Sequence, residues 1–218
     1  MINWQNIDTV LLDMDGTLLD LHFDNYFWVE HLPRRFSEAH NVSLKEARNH
    51  IGKSVRELEG TLEWYCLDHW SELMQLDIPQ LKREVSDLIQ YRPQAELFLE
   101  RLKAAGKKLV LITNAHPKSL EIKLECSNID HWLDIIISSH EFKAPKEDAL
   151  FWQRLENIEH FDKARTIFID DTPRVLRSAQ AFGIEHLVCI TAPDSKKLAH
   201  DAEGFLGIKH FDEIMPAP

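Results

Sequence analysis

The chain has 218 residues, 44% of them hydrophobic, which is enough for one α/β domain with an insertion or for two small domains. Its 36 acidic against 25 basic residues leave a formal charge of −11, which argues against a nucleic-acid polymer or an anionic membrane as partner, while a local site can still admit a small phosphorylated metabolite. The three scattered cysteines, Cys66, Cys126 and Cys189, predict reduced thiols rather than a disulfide framework. With no basic-then-apolar opening and no apolar run of about eighteen residues, a signal peptide and a membrane helix are not expected and a cytoplasmic location is.

The first predicted element is a strand entering "LLDMDGTLLD", residues 11–20, where an apolar run stops at two carboxylates two residues apart, Asp13 and Asp15. Two such charges about 4 Å apart near a protein surface repel by roughly 4 kcal/mol, so something must offset them. Residues 20–91 hold no strand-like run but several stretches with helical spacing of Trp, Leu, Phe and Tyr, and read as an inserted cap of about four helices. A helix over Pro93–Ala105 then leads to the strand "KKLVLITNA". Helix Pro117–Cys126, strand "LDIIISSH", helix Asp148–Asn157, strand "RTIFIDDT", helix Pro173–Phe182 and strand "EHLVCIT" follow. Pro93, Pro117 and Pro173 mark helix starts, and Gly106 and Gly183 mark ends.

This alternation predicts right-handed crossovers and a parallel sheet covered on both faces, an α/β Rossmann-like fold. Functional groups in such sheets gather beyond the carboxyl ends of the strands. Those ends carry Asp13 and Asp15, Thr113 and Asn114, Lys146 in the loop after the third strand, and Asp170 and Asp171. Four carboxylates share a crevice only when a cation joins them, and an all-oxygen set suits a hard ion, Mg2+. With Lys146 and the divalent ion, one negative charge remains; a proton on Asp15 removes it and leaves a site able to accept a phosphate.

"DMDGT", the Thr113 strand end, a downstream lysine and "DD" after an apolar strand together resemble the four motifs of the haloacid dehalogenase superfamily, over nearly the whole chain. The resemblance implies a core of residues 1–19 and 92–218 and a helical cap of residues 20–91 that closes over substrate. It also implies that Asp13 attacks phosphorus to form an aspartyl phosphate and that Asp15 is general acid and then base. Thr113 and Lys146 would bind phosphate, with a backbone donor from Asn114. Asp13, the carbonyl of Asp15 and the Asp170/Asp171 pair would hold magnesium. Independently, a carboxylate nucleophile divides one difficult displacement into two steps, and an acid/base two residues along stands near the attack line without blocking it. Gly16 permits a sharp turn there, and the Thr17 hydroxyl is expected to tie it. Glu147 follows the lysine where the family commonly has proline, and Lys143 is a weaker rival to Lys146.

"DNYFW", "WYCLDHWSE", "TNAHP" and "PKED" further resemble the enterobacterial nucleotidases of the superfamily that act on GMP and IMP. The expected function is therefore a magnesium-dependent phosphatase acting on purine nucleoside 5′-monophosphates. A sugar-phosphate phosphatase or phosphomutase on the same core is the alternative, with a non-catalytic phosphometabolite-binding module behind it. Asp24 and Asn25 are candidates for reading the substrate base. Tyr26, Phe27, Trp28, Trp64, Tyr65 and Trp70 are expected mainly to pack the cap, Lys53 and Arg56 to lie on a solvated face, and His116 to start a helix. The histidines show no metal-ligand spacing. A calcium loop is excluded, because its twelfth position is Asp24, not glutamate, and its glycine falls two residues early.

Overall fold

In the computed structural model, which describes residues 2–217, the apolar runs form strands of one parallel sheet. These are β1 (Thr9–Leu12), β2 (Lys108–Thr113), β3 (Ile135–Ser138), β4 (Thr166–Asp170) and β5 (His186–Ile190). A sixth, β6 (Leu206–Ile208), was not anticipated; it is three residues long and contains Gly207, too little for a pattern to register. The order is β3-β2-β1-β4-β5-β6, with every pair parallel. Central β1 has Leu12 level with Leu111 of β2 and with Ile169 of β4, so the next residues of all three strands emerge side by side.

Between β1 and β2 the described residues form helices. α1 (His22–Tyr26) passes through a π-turn at Phe27–His31 into α2 (Leu32–His40). Pro33 has no N–H to give and its ring crowds the carbonyl four residues back, which accounts for the widened turn. α3 (Leu44–Leu58) starts on a Ser43/Glu46 capping box; α4 (Leu62–Tyr65), α5 (Leu67–Met74) and α6 (Ile78–Arg83) complete the segment. The two connections run side by side: Asp20 N donates to the Gln90 carbonyl (2.8 Å) and Arg92 N to that of Leu18 (2.9 Å). Buried Arg92 then staples this junction to the core by donating to the carbonyls of Thr17, Ala192 and Lys209.

Alternating residues of β1 face opposite sides. Val10 and Leu12 join one apolar cluster with Phe98, Leu99 and Leu102 of α7 (Ala95–Ala104), and that cluster continues into Phe23, Phe27 and Trp70 of the helical segment. After α8 (Pro117–Ser127), the opposite side packs Leu11 against Phe151, Trp152 and Leu155 of α9 (Ala149–Ile158) and Val175 and Leu176 of α10 (Pro173–Phe182). With both faces covered, alternation collapses into the continuous apolar runs seen in the sequence. Pro117 and Pro173 begin their helices and Gly183 caps α10 in the left-handed region, as expected. Pro93 instead precedes α7, because Gln94 turns at φ +65° before the helix begins. Among the described residues no helix is long and apolar enough to cross a membrane.

Candidate active site

Beyond β1 the chain turns on one carbonyl: that of Met14 accepts from Leu18 N (2.9 Å) and Leu19 N (2.8 Å), while Gly16 N donates to the Leu19 carbonyl (2.8 Å). Gly16 has φ +80°, where a side chain would be strained. The expectation for Thr17 is corrected: its hydroxyl is buried with no hydrogen-bond partner among the described residues, and backbone bonds tie the turn. Asp13 is buried, and its N–H donates to the Ile169 carbonyl (3.0 Å), which fixes it beside the end of β4.

Lys146 lies at the centre. Its Nζ donates to Asp13 Oδ1 (2.5 Å) and to Asp170 Oδ2 (2.7 Å). Burial opposes its charge, but the two carboxylates outweigh burial and raise its pKa. Asn114 positions the lysine, since its Oδ1 accepts from Lys146 N (2.9 Å) and its Nδ2 donates to Glu147 Oε2 (2.9 Å). Lys143 is exposed and points to a different cleft. Thr113 is buried at the end of β2, its Oγ1 accepting from Ala115 N (3.0 Å).

Asp13, Asp170 and Asp171 present oxygens that all lie within 4.8 Å of one another. Asp170 accepts at both oxygens, Oδ1 from Thr172 N (2.8 Å) and Oδ2 from Lys146. Asp171 accepts one bond, at Oδ1 from the Thr172 hydroxyl (3.1 Å). Burial, then Asp170 and Asp13, push the Asp171 carboxyl well above its ordinary pKa, the response of a buried carboxylate whose counter-charge is insufficient. Burial also pushes Asp13 up to about 6 despite Lys146.

Two further lysines were not foreseen. Lys123 of α8 bridges Asp15 Oδ1 (2.6 Å) and Asp24 Oδ2 (2.7 Å), and Lys82 of α6 holds Asp24 Oδ1 (2.6 Å). Both lysines are buried. Their signal was positional: Lys82 lies four residues after buried Ile78 and Lys123 three after Leu120, on the inward faces of their helices. Burial penalises the Asp24 carboxylate, but Lys123 and Lys82 hold its pKa well below the usual range. Burial, Asp24 and Asp13 together outweigh Lys123 and push Asp15 up to about 6. Thus Asp24 lines the cavity with both oxygens already committed, and Asn25 donates to buried Asp194 (2.7 Å).

These groups floor a cavity of about 410 Å³ that the helical segment walls with Trp28, Val29, Val55, Trp64, Tyr65 and Leu67. Glu147 joins the two sides, accepting from Tyr65 Oη (2.9 Å), Asn114 Nδ2 and Arg174 Nη2 (2.9 Å). Burial opposes the Glu147 charge, yet these donors hold its pKa low. Phe27 is buried in packing, and Lys53 and Arg56 are exposed. Five carboxylates and three ammonium groups line the cavity, a formal excess of two negative charges. An oxygen-only set in which Asp13, Asp170 and Asp171 converge fits a hard divalent cation.

A parallel sheet whose central strand ends in paired aspartates, met by a buried lysine and a second acidic pair, defines a Rossmann-like α/β enzyme with a strand-end acidic centre. The chain belongs to the haloacid dehalogenase-like hydrolase family, whose model matches residues 10–189. It is 44% identical over 194 residues to the GMP/IMP nucleotidase YrfG of Escherichia coli (strain K12), covering 89% of this chain and 87% of that protein. It is 24% identical over 189 residues to a phosphorylated carbohydrates phosphatase of Thermotoga maritima, covering 83% and 84% of the two chains. In fold it is similar to the crystal structure of a HAD phosphatase from Thermococcus onnurineus, with TM-score 0.79 and 20% identity over 95% of this chain and 96% of that one.

Proposed function

We propose that this protein hydrolyses purine nucleoside 5′-monophosphates, GMP and IMP foremost, through an aspartyl phosphate on Asp13. The observation that carries the chemistry is the Lys146 bridge between Asp13 and Asp170, with the open oxygen of Asp171 alongside. The substrate rests on the 44% identity to the nucleotidase and on a cavity lined in part by Trp28 and Trp64, side chains of a kind that stack on a purine.

Asp13 attacks phosphorus; its carboxylate oxygen forms the new P–O bond as the ester P–O bond breaks. Asp15 gives a proton to the leaving nucleoside oxygen. An arriving phosphate dianion adds like charge beside Asp15 and raises its pKa further, which loads the proton it must donate. Asp15 then takes a proton from water, the water oxygen attacks phosphorus, and the bond to Asp13 breaks to release inorganic phosphate. Lys146, the Thr113 hydroxyl and the backbone N–H of Asn114 hold the phosphoryl oxygens. Asp13, the carbonyl of Asp15 and Asp171, steadied by Asp170, would hold Mg2+. When bound, that ion would supply positive charge to the phosphoryl oxygens and offset the excess of carboxylates.

Residues 1–19 and 92–218 act as the core domain and residues 20–91 as a cap that excludes water during the first step. Free Cys66, Cys126 and Cys189 are consistent with a reducing, cytoplasmic setting. The test is turnover of a phosphate-ester panel. GMP and IMP are expected to exceed hexose phosphates in kcat/KM, EDTA to abolish phosphate release and magnesium to restore it. Hexose phosphates turned over best would remove the nucleotide assignment, and undiminished turnover by Asp13→Asn would remove the nucleophile.

A further inference from the structure

A second cluster of donors flanks the cavity of the carboxylates, which His116 also lines. Cys66, at the start of α5, meets His116 and His140 from the loops after β2 and β3, with one donor atom of each within 4.8 Å of the others. No spacing reveals it, since the residues lie on three separated elements. The His116 and His140 rings stand edge to face with centroids 4.9 Å apart. His140 Nε2 is buried and has no hydrogen-bond partner among the described residues. A buried imidazole nitrogen with no other partner, beside a second imidazole and a thiol, is free to bind a metal.

His116 caps the start of α8 through one ring nitrogen, as expected, and leaves the other less committed. Its Nδ1 accepts a long 3.3 Å bond from Lys118 N, and its Nε2 lies 3.7 Å from Asp68 Oδ2. Cys66 is unpaired and half-buried. We propose that Cys66, His116 and His140 form a second metal site, selective for zinc over magnesium, that pins the helical segment to the ends of β2 and β3.

One thiolate with two imidazoles suits borderline and soft ions and repels hard ones, the reverse of the carboxylate site. Zinc sits about 2.3 Å from sulfur and about 2.0 Å from nitrogen, so the three side chains close inward on binding. His140 can turn without breaking a bond at Nε2. As the sulfur–zinc bond forms, the Cys66 proton leaves to solvent, and no oxidation change occurs. Asp68 or water supplies the fourth position. Because the site joins α5 to two strand-end loops, an occupied site resists opening of the helical segment.

The test uses cobalt(II) and zinc(II) chlorides on the full chain carrying Asp171→Asn, so that the outcome does not depend on the phosphatase reading. One equivalent of cobalt is expected to give a thiolate-to-metal charge-transfer band with tetrahedral d–d absorption, which zinc bleaches. Cys66→Ser is expected to lose the band. His140→Gln is expected to weaken zinc binding by more than the roughly 10–100-fold that loss of an outer-shell partner costs. Exposed Cys126→Ser is expected to change nothing. Circular dichroism checks that each variant is folded, and His140→Gln carries the test should Cys66→Ser not fold. Absence of the band, its persistence in Cys66→Ser, its loss in Cys126→Ser, or unchanged zinc affinity in His140→Gln overturns the proposal.

Discussion

A β-carbon on Gly16 would stand 2.6 Å from Asp171 Oδ2 and 2.9 Å from Pro193 Cβ, so the glycine of the first motif makes room for a carboxylate of the last. Gly16→Ala therefore does two things. It strains a residue at φ +80° by about 1–2 kcal/mol, and it displaces Asp171 Oδ2, a carboxylate oxygen that accepts no hydrogen bond and is open to a cation. The expected result is a melting temperature lower by a few degrees and magnesium affinity reduced by at least about tenfold. Calorimetric titration with magnesium separates the effects: unchanged affinity with a lowered melting point would mean that Asp171 is not the ligand.

Lys123 is the buried cation shared by Asp15 and Asp24. Lys123→Met leaves two half-buried carboxylates short of a partner, and since removing one side of a fully buried pair costs about 3–5 kcal/mol, the lower end of that range applies. Urea denaturation should show that loss, and adding Asp24→Asn should return part of it, because the second carboxylate then no longer needs charge. The same substitution removes an attraction that lowers the Asp15 pKa. Asp15 must hold a proton to act as general acid, so the basic limb of the kcat/KM profile should move to higher pH. A profile that stays in place while stability falls would make Lys123 purely structural.

The strand ends were legible because a doubly covered parallel sheet writes itself as apolar runs, and whatever follows each run must emerge at one edge. Asp13, Thr113 and Asp170 close their runs and meet within the structure for that reason. Lys146 was readable by order alone, whereas its hold through Asn114 was not. Lys82 and Lys123 escaped because their partner Asp24 lies 58 and 99 residues away, and helical periodicity records apolar faces, not a charge buried on one. The same blindness hid the Cys66, His116 and His140 meeting. Glu147, odd by family pattern, makes physical sense once Tyr65, Asn114 and Arg174 are seen to converge on it.

Tyr65 reaches from α4 to Glu147, so its hydroxyl links the helical segment to the loop that carries Lys146. Tyr65→Phe keeps the ring in the cavity wall and removes that single bond. A hydrogen bond to a charged group is worth about 1.5–3 kcal/mol, and Asn114 and Arg174 still satisfy Glu147, so the lower end applies. If closure contributes to holding substrate, KM for GMP should rise roughly tenfold with kcat little changed. A fall in kcat at constant KM would instead assign the hydroxyl to the chemical step.

Burial pushes the Asp13 and Asp15 carboxyls up to about 6, above the ordinary 3.8. An acid whose folded pKa is raised binds its proton more tightly in the folded chain, so its stabilising share is complete below the unfolded value and is lost as pH rises through about 6. Metal-free protein should accordingly lose stability between about pH 4 and about pH 7 from these two groups. Asp24 runs the other way, its depressed pKa giving stability that is present above the ordinary carboxylate value and lost only as pH falls below it. On the proposed site a divalent cation binds the deprotonated forms of Asp13 and Asp171, both of whose pKa values are raised, so the rise in melting temperature on adding magnesium should be small near pH 5 and grow as pH increases. Melting curves with and without magnesium across that range check the sign. A gain that is independent of pH would show that the cation binds without displacing a proton from these carboxylates.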